Sequence, residues 1–244
     1  MTDTYQKQAP ETIQAMFGSI ASNYDKGNAI LSFNLHRLWN RCLVHEVRSG
    51  AEEGDLLDLC SGTGDIAIQF LRQAPADCHG YLLDFCPEML QEARTKTRAA
   101  GLLQPTTHLH FIHGDAQDIA LEDNSVQFIT MAYGIRNIKD PAQACREALR
   151  VLKPGGRFGI LELTRPSNPL LRQGHGIYLK LFLPLLGRLV TSNRNAYKYL
   201  CQSIENFIAP DELREILADS GFAPTWQRPL MGGIATILVG TKPH

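Results

Sequence analysis

At 244 residues, 44% of them hydrophobic, the chain has material for one sizeable domain or two small ones. A formal net charge of −1, with charged residues at 20%, leaves no basic surplus and argues against a nucleic-acid partner. The six cysteines form no C-x-x-C pair and read as reduced thiols; Met1 to Gln14 lacks a signal-peptide pattern and no run of about 18 uncharged apolar residues occurs, so the expectation is a cytoplasmic protein.

The first clear element lies between Asp55 and Asp65. Leu56, Leu57 and Leu59 make a short apolar strand, Gly62 and Gly64 a tight turn, and Ile66, Ala67, Phe70 and Leu71 follow at helical spacing. Gly80 to Asp84 reads as a second strand ending in an acid, and Pro87 to Ala100 as its helix. Leu109 to His113 is a third strand followed by Gly114-Asp115-Ala116. Ser125 to Tyr133 is a fourth, and a helix over Pro141 to Leu152 stops at Lys153-Pro-Gly-Gly156. Arg157 to Leu163 is a fifth strand. The pattern breaks from Arg165 to Phe207. A helix over Asp211 to Ser220 then precedes strands at Thr225 to Leu230 and Ile234 to Thr241, joined by the Met231-Gly-Gly233 turn. Alternating strands and helices predict a mainly parallel, doubly wound α/β sheet with an antiparallel hairpin at its edge, ligands sitting at the carboxyl ends of the strands.

Gly62-x-Gly64-x-x-Ala67 fits the dinucleotide fingerprint, so a nicotinamide or flavin enzyme is one reading. The other is S-adenosyl-L-methionine. Asp84, twenty residues beyond Gly64, suits ribose hydroxyls in either class. Asp58 at the first strand's end suits a cationic ligand carrying an amino group, directly or through water, whereas a pyrophosphate gains nothing from it. Thr63 stands within the turn against a methionine moiety, and Asp115 suits the adenine edge. Plain capping or turn roles for Asp58, Asp84, Thr63 and Asp115 are the competing readings.

Tyr24-Asp-Lys-Gly-Asn-Ala-Ile-Leu-Ser32 with His36 and Trp39 resembles the N-terminal signature of the ubiquinone/menaquinone biosynthesis C-methyltransferases. Arg150-Val-Leu-Lys-Pro-Gly-Gly-Arg-Phe-Gly-Ile-Leu-Glu162 resembles their second signature, and Tyr133-Gly-Ile-Arg-Asn137 the segment after their fourth strand. The likeness continues through Tyr197-Lys-Tyr-Leu200, Ser203-Ile204 and Gly232-Gly-Ile234. Gly27 replaces the usual Met of the first signature, Thr164 the usual Ser after the second, and Ala132 a Ser found in some relatives. The resemblance implies a single domain over 1–244 with the Rossmann-like, seven-stranded sheet of class I methyltransferases. Its activity would be C-methylation of a polyprenyl quinol, demethylmenaquinol to menaquinol foremost and a polyprenyl methoxybenzoquinol as the alternative. Thr63, Asp84, Asp115 and Ala116 match the family's cofactor positions. A nicotinamide oxidoreductase and a catalytically idle binding module are the readings from other classes.

Methylating a quinol ring carbon calls for a stabilised quinolate, since unaided phenols titrate near pH ~10. Arg136, after the fourth strand, is the expected electrostatic stabiliser, with a structural ion pair as its alternative. Tyr24, Asp25 and His36 belong to an N-terminal segment, residues 1–50, which in the resembling family closes over the cofactor; His36 or Asp25 is the candidate proton acceptor. His108 and His110 share a strand face that His113 does not, and no metal is expected. Residues 165–207 form a helical insertion in which Ile177 to Val190 is either core or a wall for an isoprenoid tail, with Lys180, Arg188 and Arg194 near lipid headgroups. The partners expected are therefore the quinol and, transiently, the inner face of a membrane; a homodimer stays open.

Overall fold

The computed structural model describes residues 8–51, 53–103, 108–183 and 194–244. Strands β1 (Leu56–Leu59), β2 (Gly80–Asp84), β3 (Leu109–His113), β4 (Val126–Ala132), β5 (Leu152–Leu163), β6 (Thr225–Leu230) and β7 (Ala235–Thr241) form a seven-stranded sheet in the order β3-β2-β1-β4-β5-β7-β6. The first five run parallel. β7 is antiparallel to both its neighbours, so the terminal hairpin inserts β7 against β5 and leaves β6 outermost. Pro229 fits that edge because it has no N–H to offer a further strand. β5 starts five residues earlier than the sequence pattern suggests. A bulge absorbs Lys153-Pro-Gly-Gly156: Val126 faces Leu152 while Phe128 already faces Arg157, and Gly155 takes φ +75°.

Successive strand residues serve opposite layers. Leu57, Leu59, Ile129 and Met131 pack toward α6 (Pro141–Val151) and the helix Pro210–Asp219, through Ala144, Ala148, Leu213 and Leu217. Leu56, Leu82, Phe128 and Leu161 face the other way, toward Leu43 and Val47 of α3 (Leu35–Arg48), Phe70 of α4 (Asp65–Leu71) and Ala93 of α5 (Pro87–Ala99). Strand order reverses between β1 and β4, which opens a crevice at their carboxyl ends.

Within residues 1–50, α1 (Pro10–Ile20) and α2 (Tyr24–Leu31) lie over that crevice, whereas α3 is part of the sheet's helical layer, with Leu43 and Val47 fully buried. Within 165–207, α7 (Pro169–Ile177) continues into a π-helical turn at Tyr178–Phe182, and α8 (Arg194–Asn206) follows. Leu179 and Leu183 pack against Tyr197 and Ile204. Pro184 to Val190, including Arg188, lies outside the described residues, as does the side chain of Arg194. No helix among the described residues is long and apolar enough to cross a membrane.

α3 can approach the sheet this closely because β5 has no side chain at Gly159, where a Cβ would collide with Val47 and come within 2.9 Å of Leu43. Gly159→Ala is expected to lower unfolding free energy by about 1–3 kcal/mol through overpacking, and adding Val47→Ala should recover part of it. Urea midpoints of the three proteins check this.

Candidate active site

Two strand ends build the site. After β1 the backbone turns through Cys60 (φ +53°) and Gly62 (φ +53°); after β4 it turns through Tyr133 (φ +59°). Left-handed φ at a non-glycine residue costs on the order of 1–2 kcal/mol, and here it occurs twice, side by side. The two turns touch: a Cβ on Gly134 would lie 2.6 Å from that of Cys60. A cleft with about 780 Å³ of free space, partly open to solvent, runs past these turns beneath Ile13 and Phe17 of α1 and Tyr24 of α2.

Asp84 is the cleft's anionic anchor. Its carboxylate, 5% exposed, accepts the amides of Gly62 (2.8 Å) and Cys86 (2.9 Å), which fixes both oxygens. Burial lifts its pKa to about 6, with those two amides pulling the other way. Gly62 also lines the cleft, and an added Cβ would reach 4.0 Å from the Tyr24 ring. Asp115 and Ala116 line the far end, where the Asp115 carboxylate takes the backbone and side-chain N–H groups of Gln117 at 2.9 to 3.0 Å. A buried carboxylate facing a bare glycine turn, with apolar walls at Phe85 and Met89, matches a nucleoside bearing ribose hydroxyls. The Cys60 thiol, also on this wall, is pushed well above its ordinary range by burial and then by the nearby carboxylates of Asp84 and Asp58.

Three other residues singled out in the sequence do not line the cleft. Asp58, 1% exposed, points beneath the glycine turn, accepting Thr130 Oγ1 at 2.7 Å and the Ala67 amide at 3.3 Å; burial pushes it up to about 7, against the pull of those two bonds. Gly64 (φ +81°) starts α4, where a Cβ would crowd Leu82 and Ala93 at 3.2 and 3.3 Å. Thr63 turns its hydroxyl away to Asp25, at 2.5 Å. Asp25 is thus engaged with the glycine turn and with Lys96 (2.5 Å), a cluster that nothing in the spacing of Lys96 announced.

On the other side of Tyr24 lies an apolar cavity, also partly open to solvent, with about 650 Å³ of free space, walled by Leu31, Trp39, Leu163, Tyr178, Leu179 and Ile204 and carrying His36, Tyr133 and Arg136. Tyr24 and Tyr133 line both this cavity and the cleft. Arg136 is buried, and its Nη1 donates to Glu162 Oε1 (2.5 Å) and Tyr133 O (2.7 Å), its Nε to Ser203 Oγ (3.3 Å). Burial opposes its charge and the Glu162 carboxylate outweighs that; burial likewise pushes Glu162 up, and Arg136 with the amides of Leu163 and Arg136 draws it back. Arg136 is therefore half of a buried ion pair as well as a cavity residue. Glu162 was legible: a lone acid inside the apolar run Gly159 to Leu163 requires a partner. No hydrogen-bond partner of Arg136 Nη2 is found among the described residues.

His36 is 5% exposed, and its Nδ1 lies 2.7 Å from Ser32 Oγ, which is itself 2.6 Å from Asn28 O; with the hydroxyl donating to Asn28 O, Nδ1 carries the ring proton and Nε2 is the acceptor. Burial lowers the His36 pKa and keeps it neutral at neutral pH. Burial raises Tyr24 and Tyr133, so both stay protonated; the Tyr133 hydroxyl donates to Asn40 Oδ1 at 3.1 Å. His108 and His110 lie elsewhere, stacked with His79 and Tyr81, while His113 contacts Phe85 O. Among the described residues no group of three or more side chains is placed to hold a metal ion.

A model of the ubiE/COQ5 methyltransferase family matches residues 3–242. A demethylmenaquinone methyltransferase of Protochlamydia amoebophila is 51% identical over 241 residues, covering 98% of both proteins. A ubiquinone/menaquinone biosynthesis C-methyltransferase, UbiE, of Azotobacter vinelandii is 35% identical over 239 residues, 98% of this protein and 92% of its own length. Among solved structures, a Haloferax volcanii protein in complex with the Trm112 methyltransferase activator superposes with a TM-score of 0.64 at 22% identity, covering 93% of this protein and 98% of that one. Phosphoethanolamine N-methyltransferase 2 of Haemonchus contortus with S-adenosyl-L-methionine gives 0.62 at 15% identity, covering 84% and 52%. These structural likenesses show the fold, and none of the proteins named here supports a nicotinamide oxidoreductase. With the family model spanning nearly every residue, the protein belongs to the ubiE/COQ5 methyltransferase family and is an S-adenosyl-L-methionine-dependent methyltransferase.

Proposed function

We propose that this methyltransferase alkylates a ring carbon of a polyprenyl quinol, with demethylmenaquinol as its principal acceptor. The carrying observation is the shared wall: Tyr24 and Tyr133 separate a cleft suited to a nucleoside from an apolar cavity equipped with a neutral histidine and a buried arginine. The two relatives above bear names for this chemistry, and the more similar is a demethylmenaquinone methyltransferase. A methoxybenzoquinol acceptor is the second reading, supported by the name of the Azotobacter relative.

S-adenosyl-L-methionine supplies, when bound, a methyl group made electrophilic by its sulfonium. Asp84 would hold its ribose hydroxyls, the backbone at Gly62 its close approach, and Asp115 with Ala116 its adenine side. His36 Nε2 takes the quinol hydroxyl proton, and Arg136 Nη2 stabilises the quinolate oxygen, which makes the ring carbon the nucleophile; the methylated carbon then loses its ring proton to water as His36 returns a proton to the oxygen, restoring the aromatic quinol. A guanidinium cannot serve as the base, and Asp25 is already committed to Thr63 and Lys96. Holding the ring against the Tyr24–Tyr133 wall supplies the remainder, since positioning alone contributes roughly 7–11 kcal/mol in favourable cases.

The quinol's tail would leave through the rim at Tyr178, where Phe33 and Phe182 pack on its ring at 6.3 and 6.4 Å. Phe33 is 68% exposed, Leu170 77% and Leu181 61%, with Ile177 and Met231 also exposed. Such an apolar rim suits transient contact with a membrane in which the quinol is dissolved.

Labelled methyl donor incubated with a reduced demethylmenaquinone bearing a short tail, and in parallel with a reduced methoxybenzoquinone, should label the naphthoquinol preferentially; label in neither overturns the proposal. Asp84→Ala should weaken S-adenosylhomocysteine binding by about 1–3 kcal/mol. Because Asp84 titrates at about 6 and its carboxylate is the acceptor, wild-type affinity should decline as pH falls below that value. Asp84→Asn should abolish the pH step; calorimetry from pH 5 to 8 reads both. His36→Gln should lower kcat by about a hundredfold. The acid limb of the wild-type kcat profile should lie below the ordinary histidine value of about 6.5, since only the neutral ring can accept.

A further inference from the structure

Lys96, in the last turn of α5, is remote from both cavities in sequence and lines neither, yet three elements converge on its ammonium. Nζ donates to Asp25 Oδ2 of α2 at 2.5 Å, to Asp65 Oδ1 at the start of α4 at 2.5 Å and to Thr63 Oγ1 of the glycine turn at 2.9 Å. An ammonium has three protons, and all three are used. Thr63 closes the ring by donating to Asp25 Oδ1. The preceding residue is Tyr24, which lines the nucleoside cleft, the cavity containing His36, and a third hollow of about 540 Å³ between α1, α2 and α8. Among the described residues no such polar anchor ties the Tyr24 ring to the sheet: its side-chain hydrogen bond is to Asn28 of the same helix, and it packs with Phe17, Ala21, Cys86 and Met89, contacts that permit sliding. The first turn of α2 is therefore pinned through Asp25.

We infer that Lys96 is a positioning residue that, through Asp25, fixes Tyr24 as the partition between the donor cleft and the acceptor cavity. Asp25 then acts on the reaction through Tyr24's placement and not as a base. The ion pairs are half-exposed, at 25% for Lys96 and 41% and 37% for Asp25 and Asp65, so each adds little to global stability. What the cluster supplies is alignment. It also joins the glycine turn to α2, so that whatever orders Thr63 orders Tyr24 too. Only the turnover readout below rests on the quinol acceptor proposed above.

The experiment compares wild type, Lys96→Met, Lys96→Arg, Asp25→Asn and the Lys96→Met/Asp25→Asn double variant. Lys96→Met should change S-adenosylhomocysteine affinity less than threefold and lower kcat with the quinol by about tenfold or more, as a small misplacement does. Lys96→Arg should restore a substantial part, and the double variant should be no slower than the worse single one. Wild-type kcat should fall with added salt, while that of Lys96→Met should not. Independently of any acceptor, Lys96→Met should speed amide exchange over residues 24–31 and leave β1 and β2 amides unchanged. Equal loss of donor affinity, turnover and thermal midpoint would overturn the inference, as would effects that multiply in the double variant or unchanged exchange over α2. Absence of turnover in wild type would fail the quinol assignment alone, and the exchange result would still decide the role of Lys96.

Discussion

The site depends on one close approach, that of the turn after β1 to the turn after β4. Cys60 and Tyr133 both adopt left-handed backbone conformations, and Gly134 lets the two turns meet without a side chain between them. Each strained residue is held by hydrogen bonds at its flank: the Ser61 amide to Leu83 O, and the Tyr133 amide to Leu161 O. Both bonds reach to a neighbouring strand, so the sheet itself enforces the geometry. From that contact follow the cleft on the β2 side, with Asp84, and the cavity on the β5 side, with Arg136 over Glu162.

Charge is distributed to match. The cleft carries a buried carboxylate fixed by amides, suited to a cationic nucleoside; the cavity carries a guanidinium whose charge Glu162 sustains, suited to an oxyanion. The two opposite requirements coexist because Tyr24 and Tyr133 stand between them as neutral phenols. Breaking the Arg136–Glu162 pair would strand a buried charge, so Arg136 serves the fold as well as the chemistry proposed for it.

Much of this was legible in the sequence. The leucines of β1, the glycines after it and the acid ending β2 follow periodicity and turn chemistry, and the strand boundaries at Gly80–Asp84, Leu109–His113 and Thr225–Leu230 coincide with the pattern. Local rules failed where a side chain's destination was set by distant partners. Asp58 on a strand end has two directions open to it, and Thr130 and Ala67 decide it. Asp25 beside Tyr24 looks like a site residue until Thr63 and Lys96, 38 and 71 residues away, claim it. The family resemblance places all of residues 1–50 in a cap over the site, and the bare Gly159 shows why residues 35–48 join the sheet layer instead.

Cys60 carries a last consequence. It borders the cleft proposed for the alkylating donor, where an ionised sulfur would be a competing methyl acceptor and the enzyme would inactivate itself. Burial first, and then the nearby carboxylates of Asp84 and Asp58, push its pKa up and so favour the protonated sulfur. Burial and the negative charge around Cys60 would thereby shield the protein from its own donor.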